Sequence, residues 1–429
     1  MDPPTERGRG PGCHQSGPDT GVGENIDGHV TAPAVICAGL SVRWLAERLA
    51  ALGFGVHALD CFGDRDTRAV AASWAAIGTP RAGIDLAHAT ALAPVLPRGL
   101  PLCFSAGFEG VPAALAVLAR DRVLIGNSPA LLGRLASPSE WREVLRACGM
   151  QGPVILLPEE ARGTEARTVT WLVKRAGSSG GGHIRRLRPG VSLARDDYLQ
   201  RFEPGPSFGV VFHANGAAAR IIGLVRHLRL QRRLSGAFAQ GAAIALPAIG
   251  PSLRERLERE LGRLVGHLGL KGVNGADFIL RRDGVAAWLE LNARLPGSLP
   301  LVDPCGRWLG AHLGLAPLPA ERALEANVER PAAGETAVWR AHSVVYAPCD
   351  LAIPPDLTWP EWSHDLPAAG SRFEAGEPWL SIAAAAPSAR EALLTLRRRM
   401  NILAALPICR DGRDRAATPR KPSQEDLSP

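Results

Sequence analysis

Tyrosine, methionine and lysine are nearly missing from this 429-residue chain: it has two Tyr and three Met, and only three of its 49 basic residues are Lys. The skew toward Arg, together with 36 Pro and 47 Gly, has the mark of coding bias and carries no functional weight. No uncharged apolar run approaches the roughly 20 residues that a membrane-spanning helix requires. The eight cysteines (13, 37, 61, 103, 148, 305, 349 and 409) form no CxxC pair and no zinc-ligand spacing. Several sit in apolar runs such as "VICAG" and "LCFSAG", where a thiol acts as a small hydrophobe, so reduced thiols are expected. The first thirty residues are polar, Gly/Pro-rich and partly acidic, unlike a signal peptide. These absences predict a cytoplasmic protein with no membrane partner.

What is present is ordinary for a soluble globular chain: 46% apolar and 21% charged residues, with length enough for two or three domains. A net charge of +7 suits anionic ligands such as nucleotides. The Arg residues are scattered and few aromatics interleave with them, so nucleic acid is not an expected partner.

Residues 1–31 and about 409–429 are polar, Pro- or charge-rich tails expected to be disordered. Between them no internal repeat is evident. From Ala34 the pattern is strand, helix, strand ("AVICAG", "SVRWLAERLAALG", "GVHALD"), followed by "GIDL", "LPLCFSAG" and "RVLIGN", which predicts an open α/β unit. Its first turn, "AGLSVR", lacks a full GxGxxG, although Asp60 follows Gly39 at about the ribose-binding distance. A dinucleotide site is thus one reading, and the favoured one is that Gly39 merely permits a tight turn. Farther on, "SPSEWREVLRACG" predicts a Ser-capped helix closed by Gly149. A second amphipathic helix at about 252–268 places Leu253, Leu257, Leu261, Leu264, Val265 and Leu268 on one face. Short strands and a final helix, "SAREALLTLRRRMNILAAL", complete the chain.

Three motifs could carry chemistry. In "GADFILRRDGVAAWLELNAR" (275–294), two apolar runs flank Asp283-Gly284, a strong hairpin signal. A two-residue turn there sets Asp277 opposite Glu290, with Asn292 and then Arg294 continuing on the same face. Facing carboxylates repel. They become favourable around a hard cation such as Mg²⁺ bridging a phosphate ligand, whereas solvated or Arg-paired acids are the bland alternative; the hairpin alone leaves both open. In "WLVKRAGSSGGGHI", Lys174 ends an apolar strand, and the flexible stretch Gly177 to Gly182 follows, whose backbone N–H groups could cradle phosphates. "GPSFG" (205–209) formally matches GxSxG, but a β pattern follows Ser207 where a nucleophile elbow needs a helix, so a hydrolase is rejected. His183 and His213 have no evident partner in the sequence.

The order of these features, Lys174 with its Gly loop, then "YLQRFEPG", then the acid hairpin, resembles the ATP-grasp superfamily, and within it the predicted ATP-dependent carboligases related to biotin carboxylase. "DCFGDRDTR" (60–68), "SAGFEG" (105–110) and "LIGN" (124–127) are similar to segments of that carboligase group. The resemblance implies an α/β, ATP-grasp fold with an N-terminal Rossmann-like domain (32–133), an ATP-grasp domain (134–330, lid about 150–205) and a small C-terminal β-rich subdomain (331–408). It implies that Asp277, Glu290 and Asn292 hold Mg²⁺ (or Mn²⁺) under ATP. Lys174 would contact the phosphates, and Ser178, Ser179, Gly180, Gly181 and Gly182 would close over them. Gln200, Phe202 and Glu203 would form the adenine-reading hinge, and Arg294 would steady an acyl phosphate. Arg134, forty residues before Lys174, stands where a second phosphate-binding lysine is usual.

The implied activity is an ADP-forming ligase that joins a small carboxylate to an amine, with an extension to methanopterin- or methanofuran-type coenzyme synthesis and a homodimer as a further expectation. Alternatives are a biotin-carboxylase-like subunit, a non-catalytic nucleotide-binding regulator, and a dinucleotide-dependent reductase built on the first unit.

Overall fold

The structure, a computed structural model, describes residues 33–161, 169–231, 241–315 and 338–406, with a few single positions beside them. The expected tails and the expected boundary at 330 lie outside these residues. Among the described residues the first unit is a five-stranded sheet of order β3-β2-β1-β6-β7, all parallel: β1 (Ala34–Ala38), β2 (Gly55–Asp60), β3 (Ser73–Ala76), β6 (Pro101–Phe104) and β7 (Val123–Leu124). A small ribbon, β4 (Gly78–Thr79) with β5 (Gly83–Ile84), stands beside it. β1 reads as a continuous apolar run because helices cover both faces of a parallel sheet.

A four-stranded antiparallel sheet follows, of order β10-β9-β11-β8: β8 (Ile155–Leu156), β9 (Trp171–Arg175), β10 (Arg185–Arg186) and β11 (Asp197–Arg201). The third sheet has eight strands: β12 (Ser207–Asn215), β13 (Ala219–Leu228), β14 (Ala242–Ala245), β15 (Lys271–Leu280), β16 (Ala286–Asn292), β17 (Trp339–Tyr346), β19 (Ser363–His364) and β21 (Pro378–Ala386). Its order is β16-β15-β12-β13-β14-β17-β21-β19, so the C-terminal strands extend the central sheet through the β14–β17 ladder. A ribbon of β18 (Leu351–Ala352) and β20 (Arg372–Phe373) completes the C-terminal part.

The helix expected from its Ser cap and the helix expected from periodicity form at Pro138–Ala147 and Pro251–Leu268. The second begins with Pro at its first turn and stops at Gly269, whose φ of 65° is the left-handed cap that glycine adopts without strain. It buries Leu257, Leu261, Leu264 and Val265 against one face of the large sheet, in a core shared with Phe212, Phe278 and Trp288. Leu253 and Leu268 pack at its margin. Asn127, at the end of β7, ties the first unit to that sheet: its amide donates to Asn274 Oδ1 (2.7 Å) and to the Ala293 carbonyl (3.1 Å).

The favoured reading of the first turn holds here, and one other reading changes. Asp60 is fully buried and its carboxylate accepts from Gly63 N, Phe62 N and Trp74 Nε1 at 2.8–3.2 Å, so it braces its own turn. A Cβ on Gly39 would lie 1.9 Å from Ser105 Oγ, which accounts for that glycine without a dinucleotide. Cys37, Cys61, Cys103 and Cys148 are buried thiols as expected, whereas Cys349 is disulfide-bonded, against the expectation of reduced thiols throughout.

Candidate functional site

The hairpin places the acids face to face: Asp277 pairs with Glu290, and Gly275 with Asn292. The turn expected to do this is different. Arg281 N donates to Val285 O, Gly284 N donates to Arg281 O, and Gly284 has φ of 78°, which is a three-residue loop ending in a left-handed glycine. That loop shifts the register by one, to Leu280–Ala286 and Phe278–Trp288. A bulge at Leu289 restores it before Glu290. The bulge also breaks the alternation of faces, since residues two apart normally point the same way. Trp288 therefore enters the core against Phe278, with ring centroids 5.1 Å apart, while Glu290 turns to the open face with 48% of its side chain exposed.

Around the acid pair the protein supplies its own counter-charges. Asp277 Oδ1 lies 3.1 Å from His227 Nε2, and its Oδ2 accepts from Asn292 Nδ2 at 3.3 Å. The His–Asp contact crosses β12 at Gly209, where any Cβ would sit 2.8 Å from His227 Nε2 and 2.9 Å from Asp277 Oδ1. Lys174, nearly buried at the end of β9, brings Nζ to 3.7 Å from Glu290 Oε2, and its ammonium stands 6.0 Å from the Tyr198 ring centroid. Burial alone would push the Lys174 pKa down; Tyr198 and Glu290 outweigh it and hold the pKa above the usual lysine value. Although Glu290 is only half enclosed, the protein around the pair displaces water and penalises charge on both acids. For Asp277 the His227 contact wins and its pKa falls; for Glu290 burial and Asp277 outweigh Lys174 and its pKa rises.

Arg294 is buried and heavily engaged. Its Nε donates to Glu109 Oε1 at 2.8 Å, and a terminal nitrogen donates to Asn292 Oδ1 at 2.8 Å. Beside these groups lies an open cleft lined by Glu109, Lys174, Ser178, Ser179, Tyr198, Glu290 and Asn292 among others; Asp277 and Arg294 adjoin it through their hydrogen bonds to Asn292. The glycine loop forms one rim, with Gly177, Gly180 and Gly181 at φ of 68–74°. His183, at the end of the loop, also lines the cleft. Its pKa is pushed down to about 4 by burial and then by Lys174, so the ring is neutral at pH 7, and its enclosed Nδ1 has no partner among the described residues.

Other residues expected in the site stand farther from this centre. Gln200 is buried on β11. The Phe202 N–H donates to Thr170 O at 2.8 Å, and its ring lies 5.2 Å from the Arg186 guanidinium. Both Glu203 oxygens are held by Arg281, at 3.0 and 3.1 Å. Arg134 makes an exposed ion pair with Glu140 (3.3 Å), while its neighbours Leu132 and Leu135 line the cleft. Sequence reasoning missed Glu109, His227 and Tyr198. The only hint of Glu109 was "SAGFEG"; His227 and Tyr198 come into place through strand register.

A doubly wound first unit, a small antiparallel sheet carrying a lysine and a glycine loop, and a large sheet carrying paired acids meet around this cleft. Such an architecture defines a nucleotide-binding α/β protein. Residues 140–298 match the family described as ATP-grasp domain. The chain carries an ATP-grasp domain, and the ATP-grasp fold extends over most of its length. A biotin carboxylase from Campylobacter jejuni, solved as a β-γ-ATP complex, superposes with a TM-score of 0.62 at 13% identity over 85% of this chain and 90% of its own. An L-amino acid ligase from Bacillus licheniformis gives 0.59 at 13% identity over 86% and 97%. The biotin carboxylase domain dimer of a Hydrogenobacter thermophilus 2-oxoglutarate carboxylase, with MgADP and bicarbonate, gives 0.58 at 13% over 89% and 91%. No curated protein matches by sequence. No helix among the described residues is long and apolar enough to cross a membrane.

Proposed function

We propose that this protein is an ATP- and Mg²⁺-dependent ligase that activates a small carboxylate as an acyl phosphate and transfers the acyl group to an amine. The observation that carries the reading is the cleft that Lys174, Glu290 and Asn292 line beside the glycine loop, with Asp277 and Arg294 each hydrogen-bonded to Asn292. The donor set fits a hard divalent cation. Asp277 and Glu290 face each other, and Asn292, which turns its Nδ2 to Asp277 and its Oδ1 to Arg294, would have to turn its amide over to add an oxygen, with phosphate oxygens completing the shell. Bound there, the cation would neutralise charge on the transferring phosphoryl group.

In the reaction a substrate carboxylate oxygen attacks the γ-phosphorus, the bond to the β–γ bridging oxygen breaks, and ADP leaves. The amine nitrogen then attacks the acyl carbon, phosphate departs, and the amine gives up a proton. Lys174, already beside Glu290, would contact the phosphates, with Ser178 to Gly182 supplying backbone N–H groups as a lid that keeps water out. Arg294 retains two N–H groups beyond its contacts to Glu109, Asn292 and the Leu295 carbonyl, enough to hold the acyl phosphate. Gln200, Phe202 and Glu203 would face the adenosine, and Arg134 would reach the phosphates only by leaving Glu140.

Glu290→Gln should lower ADP formation at least a hundredfold while leaving the melting temperature within a few degrees. Undiminished turnover would defeat the assignment. The substrate is found by measuring ADP release against a panel of amino acids, amines, and pterin- and furan-linked acids; the latter arm tests a role in one-carbon coenzyme synthesis. Release dependent on bicarbonate and biotin would instead favour the carboxylase reading, to which the biotin carboxylase likeness lends support. Sedimentation of the intact chain tests the expected homodimer.

A further inference from the structure

Glu109 belongs to the first unit, in the turn that follows β6, yet it reaches across to the arginine at the end of the hairpin. It lines the same cleft as Lys174 and Glu290. Its two oxygens have separate jobs: Oε1 accepts from Arg294 Nε at 2.8 Å, and Oε2 accepts from the backbone N–H of Gly107 at 2.8 Å. The carboxylate is thus clamped to its own turn on one side and aims at the guanidinium on the other. Burial opposes its charge, but Arg294 outweighs burial and keeps it ionised below the usual carboxylate range. The next residue is equally constrained. A Cβ on Gly110 would lie 2.8 Å from the Gly177 carbonyl, and a Cβ on Gly177 would lie 2.9 Å from Gly110 Cα. One turn of the first unit therefore touches both the arginine and the first residue of the glycine loop.

We propose that Glu109 is a positioning residue for the ligase reaction: it fixes the plane of Arg294, so that the two remaining guanidinium N–H groups face the acyl phosphate. The inference rests on the ligase reading for its catalytic consequence, and on the Glu109–Arg294 contact for its geometry. Arg294 has soft side-chain torsions, and a guanidinium recognises an oxyanion only in the right plane. Asn292 and Glu109 grip it from two sides, which leaves a single orientation open. Losing one grip leaves the charge in place and loosens its aim, and displacements of about an ångström at a reacting centre cost up to about a hundredfold in rate.

The test uses the full chain with Glu109→Gln and Glu109→Ala. Gln keeps an acceptor for Arg294, so kcat should fall about tenfold; Ala keeps none, and the fall should reach about a hundredfold. In both, KM for ATP should stay within about twofold while KM for the carboxylate rises. In an Arg294→Lys background the Glu109→Gln change should have no further effect on kcat, since the plane it fixes is gone. Additive losses in that double variant, or a folded Glu109→Ala protein with unchanged kcat and carboxylate KM, would overturn the proposal. If the wild-type protein releases no ADP with any substrate, the ligase reading has failed by itself. The contact is then read by NMR: the Arg294 Nε–H signal should be slow to exchange in the wild type and fast in Glu109→Ala, and equal exchange in both would refute the positioning role.

Discussion

Lysine is so scarce in this chain that the placement of one is informative. Of three, Lys174 lies buried in the cleft, where its compact ammonium sits near both Tyr198 and Glu290. The sequence exposed this residue through its strand and the glycines after it. The carboxylates it answers to were also legible, but their partners were not. His227 meets Asp277 only because Gly209 lacks a side chain on the strand between them. The facing acids therefore have counter-charges within the protein, as the alternative left open by the hairpin held, but from His227 and Lys174 and not from Arg. A residue with a measurable pH signature lies elsewhere, where the first unit meets the C-terminal part. Asp64 is 4% exposed, and burial, then Asp365, Asp60 and Asp66, push its pKa up to about 9. The folded chain keeps that proton while the unfolded chain loses it near pH 4. The stabilisation from the neutral acid is therefore complete at low pH and declines as pH rises toward about 9, by up to about 1.4 kcal/mol per unit. Melting curves between pH 5 and 9 should show Asp64→Asn flattening this decline and gaining on the wild type most at the alkaline end. Parallel curves would show that Asp64 does not hold its proton.

At the scale of the element, the hairpin shows how a right pairing came from a wrong turn. Asp-Gly was taken as a two-residue loop, and the chain instead makes a three-residue loop and then a bulge, two one-residue shifts that cancel at Asp277 and Glu290. Alternation could not reveal the bulge, because "VAAWL" is apolar at every position up to Leu289 and so has no phase to lose. The glycine loop was more transparent. Gly177, Gly180 and Gly181 adopt left-handed φ, and Gly181 also passes so close to Phe238 that a Cβ would lie 2.0 Å from that carbonyl. Gly181→Ala should therefore displace the loop with little effect on global stability. The expected outcome is a several-fold rise in KM for ATP and more ADP released per product formed, as water enters. Equal coupling in the variant and the wild type would show that the loop is not a lid.

At the scale of the whole molecule, the first unit and its parallel order were readable from alternating strands and helices, whereas the reach of the C-terminal part was not. Its strands look like a separate small subdomain in sequence, yet β17 pairs with β14 and carries the large sheet onward to β21 and β19. It also grips the first unit: Arg43 Nε donates to Asp365 Oδ1 at 2.8 Å, and Asp66 accepts from the backbone N–H groups of Asp365 and Leu366. Non-local pairings of this kind leave no mark in local composition. Ending the chain after Leu315 would bare the β14 edge and uncover the apolar face beside it, a template for aggregation. Size-exclusion chromatography should find that fragment in the void volume, and a soluble monomer would contradict the continuity of the ladder. Among descendants of this gene, the shared ladder confines easy recombination to the surface. A lid could be traded, but residues 338–406 share one ladder with the sheet that bears the acids, and the two must be inherited together.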